Sequence, residues 1–339
     1  MKVCCVIVTY SNRFSLVSRV LDVLLHQPVD KVIIVDNGSK EESANALRDY
    51  CAQHQRLELV RFSVNAGSAV AFKTGIQEAI NAGSDFIWLL DDDNLPAPNA
   101  LEELIKLCNQ KASAQDFDFC LSSFRKDRYD FYESFVKNGP YSILPPKNNF
   151  MGFHIKDISR KILNRVRRSK SNRTGGLQKI INTPVKIIAA PYGGLFIPAT
   201  TANKMKLPDV DYTLYMDDFD FTIDFSLKGG DIWVVPSSNI SDIELSYYLP
   251  ERKSLLYHSA IDGKNESLVY YSFRNIIWFS KRYLLDTPVI YYINKILFII
   301  YISALATIRW KFKRLMTLYR AMHHGERGYL GVKEEYPLP

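Results

Sequence analysis

Residues 86–93 read Phe86-Ile87-Trp88-Leu89-Leu90-Asp91-Asp92-Asp93, five apolar residues running directly into three carboxylates. A short apolar run bounded by polar residues reads as a buried strand, so the triplet is delivered at that strand's carboxyl end. Carboxylates one residue apart can approach a single hard cation where the chain turns out of a strand, and magnesium or manganese held this way usually also takes substrate phosphate oxygens. The competing reading is an acidic turn capping a helix that starts near Pro96, because Asp and Asn accept backbone N–H bonds at helix starts.

Upstream, the same unit occurs three more times. Lys2–Thr9 is apolar and β-branched, gives way to Tyr10-Ser11-Asn12-Arg13, and is followed by Leu16, Val20, Leu21, Leu24 and Leu25 at helical spacing. Val32–Val35 leads into Asp36-Asn37-Gly38-Ser39 and a helix to about His54; Leu57–Phe62 leads into Asn65-Ala66-Gly67-Ser68 and another helix. Strands alternating with helices at this spacing predict an α/β fold with a mostly parallel sheet flanked by helices, and such sheets bind ligands at the carboxyl ends of their strands. Every polar cluster named so far falls on that edge.

These residues resemble the nucleotide-sugar domain of family-2 glycosyltransferases of the GT-A (Rossmann-like) fold. The likeness rests on VTYSNR at 8–13, VDNGS at 35–39, NAGSAVAFKTG at 65–75 and LLDDDN at 89–94, four motifs in the family's order. It continues through Tyr192-Gly193-Gly194-Leu195-Phe196-Ile197, similar to the glycine pair lining the acceptor site, and Tyr215-Met216-Asp217-Asp218-Phe219-Asp220, similar to the acidic motif that supplies the base. Tyr270–Asn275 and His324–Gly331 resemble C-terminal signatures of bacterial galactofuranosyl- and rhamnosyltransferases. The least matched stretch is the basic one around 155–182.

The resemblance implies an inverting sugar transfer with roles for particular residues. Asp91 and Asp93 would hold Mn2+ or Mg2+ against the leaving diphosphate, the ion acting as a Lewis acid. Asp218 would take the acceptor's proton, with Asp217 its near neighbour and Asp220, with Tyr192, Gly193 and Gly194, on the acceptor side. Relatives commonly place a metal-binding His where Asp242 stands here; an oxygen ligand suits these ions equally well, so Asp242 is a third ligand candidate and His258 its rival. Thr9, Tyr10, Asp36 and Asn65 end strands where the base and ribose would lie, with Asp36 accepting from a uracil or thymine imide or from ribose. Arg13 and Lys73 are the basic candidates for the diphosphate, Asp92 is grouped with the donor site, and Gly67 and Gly75 permit close backbone approach. A solvated acidic helix start is the alternative for Asp217, Asp218 and Asp220.

Composition adds a setting. The five cysteines, two of them adjacent at Cys4-Cys5 inside the first strand, form no disulfide framework, which fits a reducing compartment. No ligand-spaced Cys or His pair suggests zinc. The Val3–Val8 run is too short for a signal peptide's apolar core. The net charge of +7 is concentrated between Lys156 and Lys179, a run suited to anionic headgroups or nucleic acid; no nucleic-acid reader motif accompanies it. Val289–Ile308 is apolar over one membrane span's length but is interrupted by Asn294 and Lys295 and followed by Arg309, Lys311, Lys313, Arg314 and Arg320. A spanning helix with a cytoplasmic basic tail would put the enzyme domain where nucleotide sugars are absent. The expectation is therefore a helix lying on the cytoplasmic face of the bacterial inner membrane, with a buried packing helix as the alternative.

The chain is accordingly expected to comprise a catalytic domain over 1–250, with a nucleotide-sugar half (1–110) and an acceptor half (111–250) carrying the basic insertion, followed by a helical membrane-associating region over 251–339. The expected activity moves galactofuranose from UDP-galactofuranose onto a lipid-linked glycan in O-antigen or capsule synthesis. A dTDP-rhamnose donor is the near alternative, and a non-catalytic binding protein of the same fold is a third. A nucleotidyltransferase would want a glycine-rich basic loop after the first strand, which Tyr10-Ser11-Asn12-Arg13 is not. Pairing of tail helices into a homo-oligomer stays open.

Overall fold

The computed structural model describes residues 1–112, 118–156, 183–244, 258–263 and 265–338. β1 (Val3–Thr9), β2 (Lys31–Asn37), β3 (Leu57–Phe62) and β4 (Phe86–Asp91) lie parallel in the order β3-β2-β1-β4, and α1 (Phe14–Leu24), α2 (Glu41–Ala52) and α3 (Ser68–Asn81) connect them. All seven residues of β1 are buried, as a strand covered on both faces requires. One apolar layer joins Val6, Val8 and Ile33 to Phe72 and Ile76; the other joins Cys5, Ile7 and Ile34 to Val20, Leu24 and Leu104. α3 crosses the sheet so closely that a Cβ on Gly75 would lie 2.3 Å from Val6 Cγ1.

The chain then adds β5 (Asn94–Pro96), α4 (Ala100–Ala112), β6 (Phe119–Arg125), α5 (Tyr129–Asn138), β7 (Val185–Ile187), β8 (Leu195–Pro198), α6 (Ala199–Ala202), α7 (Asp217–Leu227) and β9 (Asp231–Asp242). β8 runs antiparallel to both β4 and β6, and β9 is parallel to β6, so β4, β6 and β9 end on the same edge. The helix expected from near Pro96 starts at Ala100 instead. Asn94–Pro96 is held as a strand by antiparallel pairing with the end of β9, with Asn94 opposite Asp242.

The chain divides into two units. Among described residues the first comprises 1–112, 118–143, 183–244 and Leu338. The second comprises 144–156, 258–263 and 265–337, with α8 (His258–Asp262), α9 (Glu266–Tyr283), α10 (Pro288–Ile308) and α11 (Phe312–Arg327). Residues 144–156 group with the C-terminal helices because Asn148 Oδ1 accepts from the N–H groups of Asp286 and Thr287 at 2.7 and 2.6 Å, while Asn294 bonds the Asn148 carbonyl and the Ile155 N–H.

Within that unit the two C-terminal signatures meet each other. A Cβ on Gly325 would lie 2.4 Å from the Arg274 carbonyl, and Gly328, at φ +69°, abuts the Trp278 ring. Buried Arg274 donates to the Gly331 carbonyl at 2.5 Å and to Asn275 Oδ1 at 2.8 Å, and Tyr270 stacks on Tyr336 with centroids 3.9 Å apart. Their role here is helix packing. α10 is long and apolar enough to cross a membrane by length and composition. It buries Tyr291, Asn294, Phe298, Ile302 and Ala306 and leaves Tyr292, Ile293, Ile296 and Ile300 exposed. All of the basic stretch after Lys156 lies outside the described residues.

Candidate functional site

One edge of the first unit's sheet collects most of the residues singled out above. Thr9 is paired with Asp36 and its neighbour Val8 with Asp91, which brings three strand ends side by side. Asp92 turns inward: it is 3% exposed, accepts from Thr9 Oγ1 at 2.7 Å, and takes both Nε and Nη2 of Arg13 at 2.7 and 2.8 Å. Arg13 also donates to Glu244 at 2.5 Å and lies over the Tyr10 ring. This bidentate pair ties the loop after β1 to the loop after β4, and it commits Arg13, expected at the diphosphate, to protein carboxylates.

Asp91 and Asp93 are left facing one another's charge. Burial raises the Asp91 carboxyl to about 6, Arg125 opposing and Asp92 and Asp242 adding. Burial, then Asp91, Asp92 and Asp242, raise Asp93 to about 7. Asn94 organises this group: its Oδ1 accepts from the Asp91 N–H at 3.1 Å, and its Nδ2 donates to Asp93 at 3.1 Å and to Asp242 at 2.9 Å. Asp242 also pairs with Arg125, and with Arg128 at 3.4 Å.

Do these residues suit a divalent ion? Among the described residues no three His, Cys, Asp or Glu side chains form a ready-made metal cluster. Asp242 stands beside the triplet, as the sequence suggests, but two guanidinium groups already share its charge. What remains is the pair Asp91 and Asp93, whose proton affinities are raised above the ordinary carboxylate range by burial first and then by neighbouring carboxylates, a charge excess that a cation would relieve. Two carboxylates plus substrate phosphates is a usual protein contribution to a Mg2+ shell, so the donor set fits. His258, the rival ligand, opens α8 in the second unit.

The glycine pair is dictated by space. A Cβ on Gly193 would lie 2.1 Å from Asn94 Oδ1 and 2.7 Å from Asp91 Oδ2. Gly194, at φ +95°, passes between β4 and β6, donating to the Leu89 carbonyl and accepting from the Ser123 N–H. The acidic motif opens α7. Asp217 is buried and accepts from Ser68 Oγ at 2.9 Å; Asp220 is buried and accepts from Tyr212 Oη at 3.0 Å. Asp218 is only partly buried, and its carboxyl is raised by burial first and then by Asp217 and Asp91. Tyr192 is buried among these acids, its phenol raised by the same burial and charges. A solvated helix start would leave all three acids in water, which they are not.

The loop feeding this helix is strained. Thr213 has φ +67° and ψ −60°, and Leu214 N–H donates to the Tyr212 carbonyl at 2.7 Å, a γ-turn of the rare positive-φ kind. Tyr215 and Met216 follow at φ +70° and +67°. Gly67, at φ +93°, braces the turn: a Cβ there would be 2.1 Å from the Thr213 carbonyl oxygen.

The donor-side loops are held by asparagines. Asn37 donates to Asn65 Oδ1 and to the Gly67 carbonyl and accepts from the Ala66 N–H, so Asn65 serves the loop's own geometry. Asp36 is fully buried; Oδ1 accepts from the Ser39 N–H, whereas Oδ2 has no hydrogen-bond partner and only the Arg61 guanidinium at 3.5 Å. A buried orphan acceptor is costly. Lys73 lies in the second turn of α3, half-buried.

With the geometry in place, comparison with known proteins is direct. The profile of the family described as glycosyl transferase family 2 matches residues 5–167. The likeness to that family takes in somewhat under half of the chain. The chain is similar, at 32% identity over 108 residues, to galactofuranosyltransferase GlfT1 of Mycolicibacterium smegmatis, covering 31% of this chain and 34% of that protein. It is also 32% identical over 102 residues to the succinoglycan biosynthesis protein ExoU of Rhizobium meliloti, covering 30% and 29%. The chain thus spans about a third of the length of the curated relatives it matches. The mannosyltransferase PcManGT of Pyrobaculum calidifontis, solved with GDP-Man and Mn2+, aligns over 96% of this chain and 75% of its own at a TM-score of 0.51 and 16% identity. That likeness is one of fold, and the fold is GT-A.

Several residues around the acidic cluster escaped the sequence reading. Arg125 ends β6 and obeys the same strand-end rule as Asp36 and Asp91, so its position was the available signal. Asn94 directly follows the triplet. Arg128 and Glu244 carried no local signal, since they meet Asp242 and Arg13 across 114 and 231 positions; Ser68 lies in the quoted motif at 65–75, but its partner Asp217 is 149 positions away.

Proposed function

We propose that this chain is a metal-dependent inverting glycosyltransferase that moves a sugar from a nucleoside diphosphate onto an acceptor hydroxyl. The observation that carries the reading is the meeting, on one sheet edge, of two under-neutralised carboxylates, Asp91 and Asp93, with a partly exposed third, Asp218, close enough for Asp91 to raise its proton affinity. Asp91 and Asp93 would hold a Mn2+ or Mg2+ ion, which would supply Lewis-acid neutralisation of the departing diphosphate. Asp242, paired with Arg125 and Arg128, would be a further ligand only if released from them. Asp36 accepts from the base or ribose through its unpartnered oxygen, and the Arg13–Asp92 pair fixes the loop that flanks it.

Asp218 takes the acceptor proton. A carboxylate with raised proton affinity is a stronger base, and Asp217, held by Ser68, keeps it so electrostatically. Asp220, tied to Tyr212, anchors the first turn of α7. The motifs and the relation to GlfT1 favour UDP-galactofuranose as donor. A lipid-linked glycan acceptor at the cytoplasmic face of a membrane is supported by the second unit, where the bare face of α10 continues into exposed Trp310 and Phe312 beside exposed Lys311 and Lys313.

Nucleotide release from UDP-galactofuranose, dTDP-rhamnose and common UDP-pyranoses, with manganese and with chelator, tests the proposal. Release is expected from at least one donor only with the ion. Asp218→Asn is expected to lower transfer by roughly 10²- to 10⁴-fold with UDP affinity in manganese unchanged; full activity in that variant would remove Asp218 from its role.

A further inference from the structure

α5, β6, β7 and the first turn of α7 line a cavity of about 240 Å³, partly open to solvent, beside the acidic motif. Its walls are Phe131, Phe135, Ile143, Ile187, Val234 and Phe219, the last being the residue after Asp218. The volume is below the roughly 300–1,000 Å³ usual for whole small-molecule sites, room for a ring or a short chain and too little for an oligosaccharide. Apart from Arg125 Nε, a buried donor with no hydrogen-bond partner, the polar side chains named on its lining are engaged. Tyr132 Oη donates to the Thr183 carbonyl at 2.8 Å, Ser123 and Ser238 bond each other at 2.9 Å, and Arg125 and Arg128 pair with Asp242. One spare donor serves a single acceptor atom, whereas the several hydroxyls of a buried sugar ring would mostly go without partners.

One end of the cavity is not apolar. Arg128 lines it and is also an electrostatic neighbour of Asp91 and Asp218, so an occupant sits next to the groups assigned to the reaction. We propose that this cavity receives an alkyl or aryl group at the reducing end of the acceptor, so that the enzyme prefers glycosides with an apolar aglycone over free sugars. The inference rests on the glycosyltransferase reading and names the acceptor's chemical class.

A series of methyl, butyl, hexyl and octyl β-glucosides, below their micelle concentrations, tests it by titration calorimetry on the full chain. Each added methylene is expected to tighten binding by roughly fourfold until the cavity is full, with a plateau and one site per chain. Ile143→Trp and Ala189→Leu, both on the lining, fill the space and are expected to abolish the chain-length dependence; melting curves report whether each variant is folded, and either one suffices. Affinity that climbs without plateau, or is untouched by a folded filling variant, places the alkyl chains elsewhere and overturns the proposal. Nucleotide release by the wild-type protein is followed in parallel. Release that is intact but indifferent to aglycone overturns the cavity's role alone, and absence of release from every donor overturns the reading beneath it.

Discussion

Gly193 leaves no space for a side chain because Asn94 and Asp91 occupy it, and Asn94 in turn positions Asp91, Asp93 and Asp242. Gly193→Ala therefore forces Asn94 away, and overpacking of this kind costs about 1–3 kcal/mol. The expected result is a fall in manganese-dependent UDP affinity of at least tenfold, read by titration, with a smaller loss of melting temperature. The carboxylates make a second prediction. Asp91 and Asp93 have folded-state pKa values raised to about 6 and about 7, so the native state binds more protons than the unfolded chain between roughly pH 4 and 7, and its stability falls as pH rises through that window. Melting without metal is expected to drop from pH 5 to pH 8, manganese to restore it at pH 8, and Asp93→Asn to flatten the slope; a metal-free melting temperature that rises toward pH 8 equally in both proteins would contradict the crowding.

Among the elements, the loop before α7 interlocks with the loop before α3. The γ-turn at Thr213 leans on Gly67, and the next residue, Ser68, bonds Asp217. Gly67→Ala adds a Cβ both at a positive φ and against the Thr213 carbonyl, so it is expected to destabilise by about 1–3 kcal/mol and to slow transfer more than it weakens UDP binding, as steady-state kinetics would reveal. The four strand–helix rounds leading to this loop were legible because β1, β2 and β4 are apolar on both faces and α1 repeats every three to four residues. β5, β7 and β8 were not. Strands of three or four residues carry no period, and the pairing of Asn94 with Asp242 joins positions 148 apart, which is why a helix rather than a strand was expected at Pro96. The likeness of the motif singled out Asp218 over its neighbour Asp217; that Asp217 is buried on Ser68 while Asp218 stays partly exposed could not be read from the sequence.

For the molecule as a whole, the question is what meets the exposed face of α10. Its packed face is fixed by Asn294 and by the pair Lys295–Glu326 within the second unit, which suits a helix lying on a bilayer better than one crossing it. Each basic residue at an anionic surface contributes about 1 kcal/mol, so replacing exposed Lys311 and Lys313 by Gln is expected to lower the partition onto anionic vesicles by roughly thirtyfold, with little change on neutral ones, as flotation would measure. Equal binding by both proteins would point to purely apolar contact. The row formed by Tyr292, Ile296 and Ile300 also governs handling at the bench. In plain buffer such side chains find one another, so the species seen in gel filtration would reflect sticking between copies, and mild detergent should disperse it before any stoichiometry is assigned.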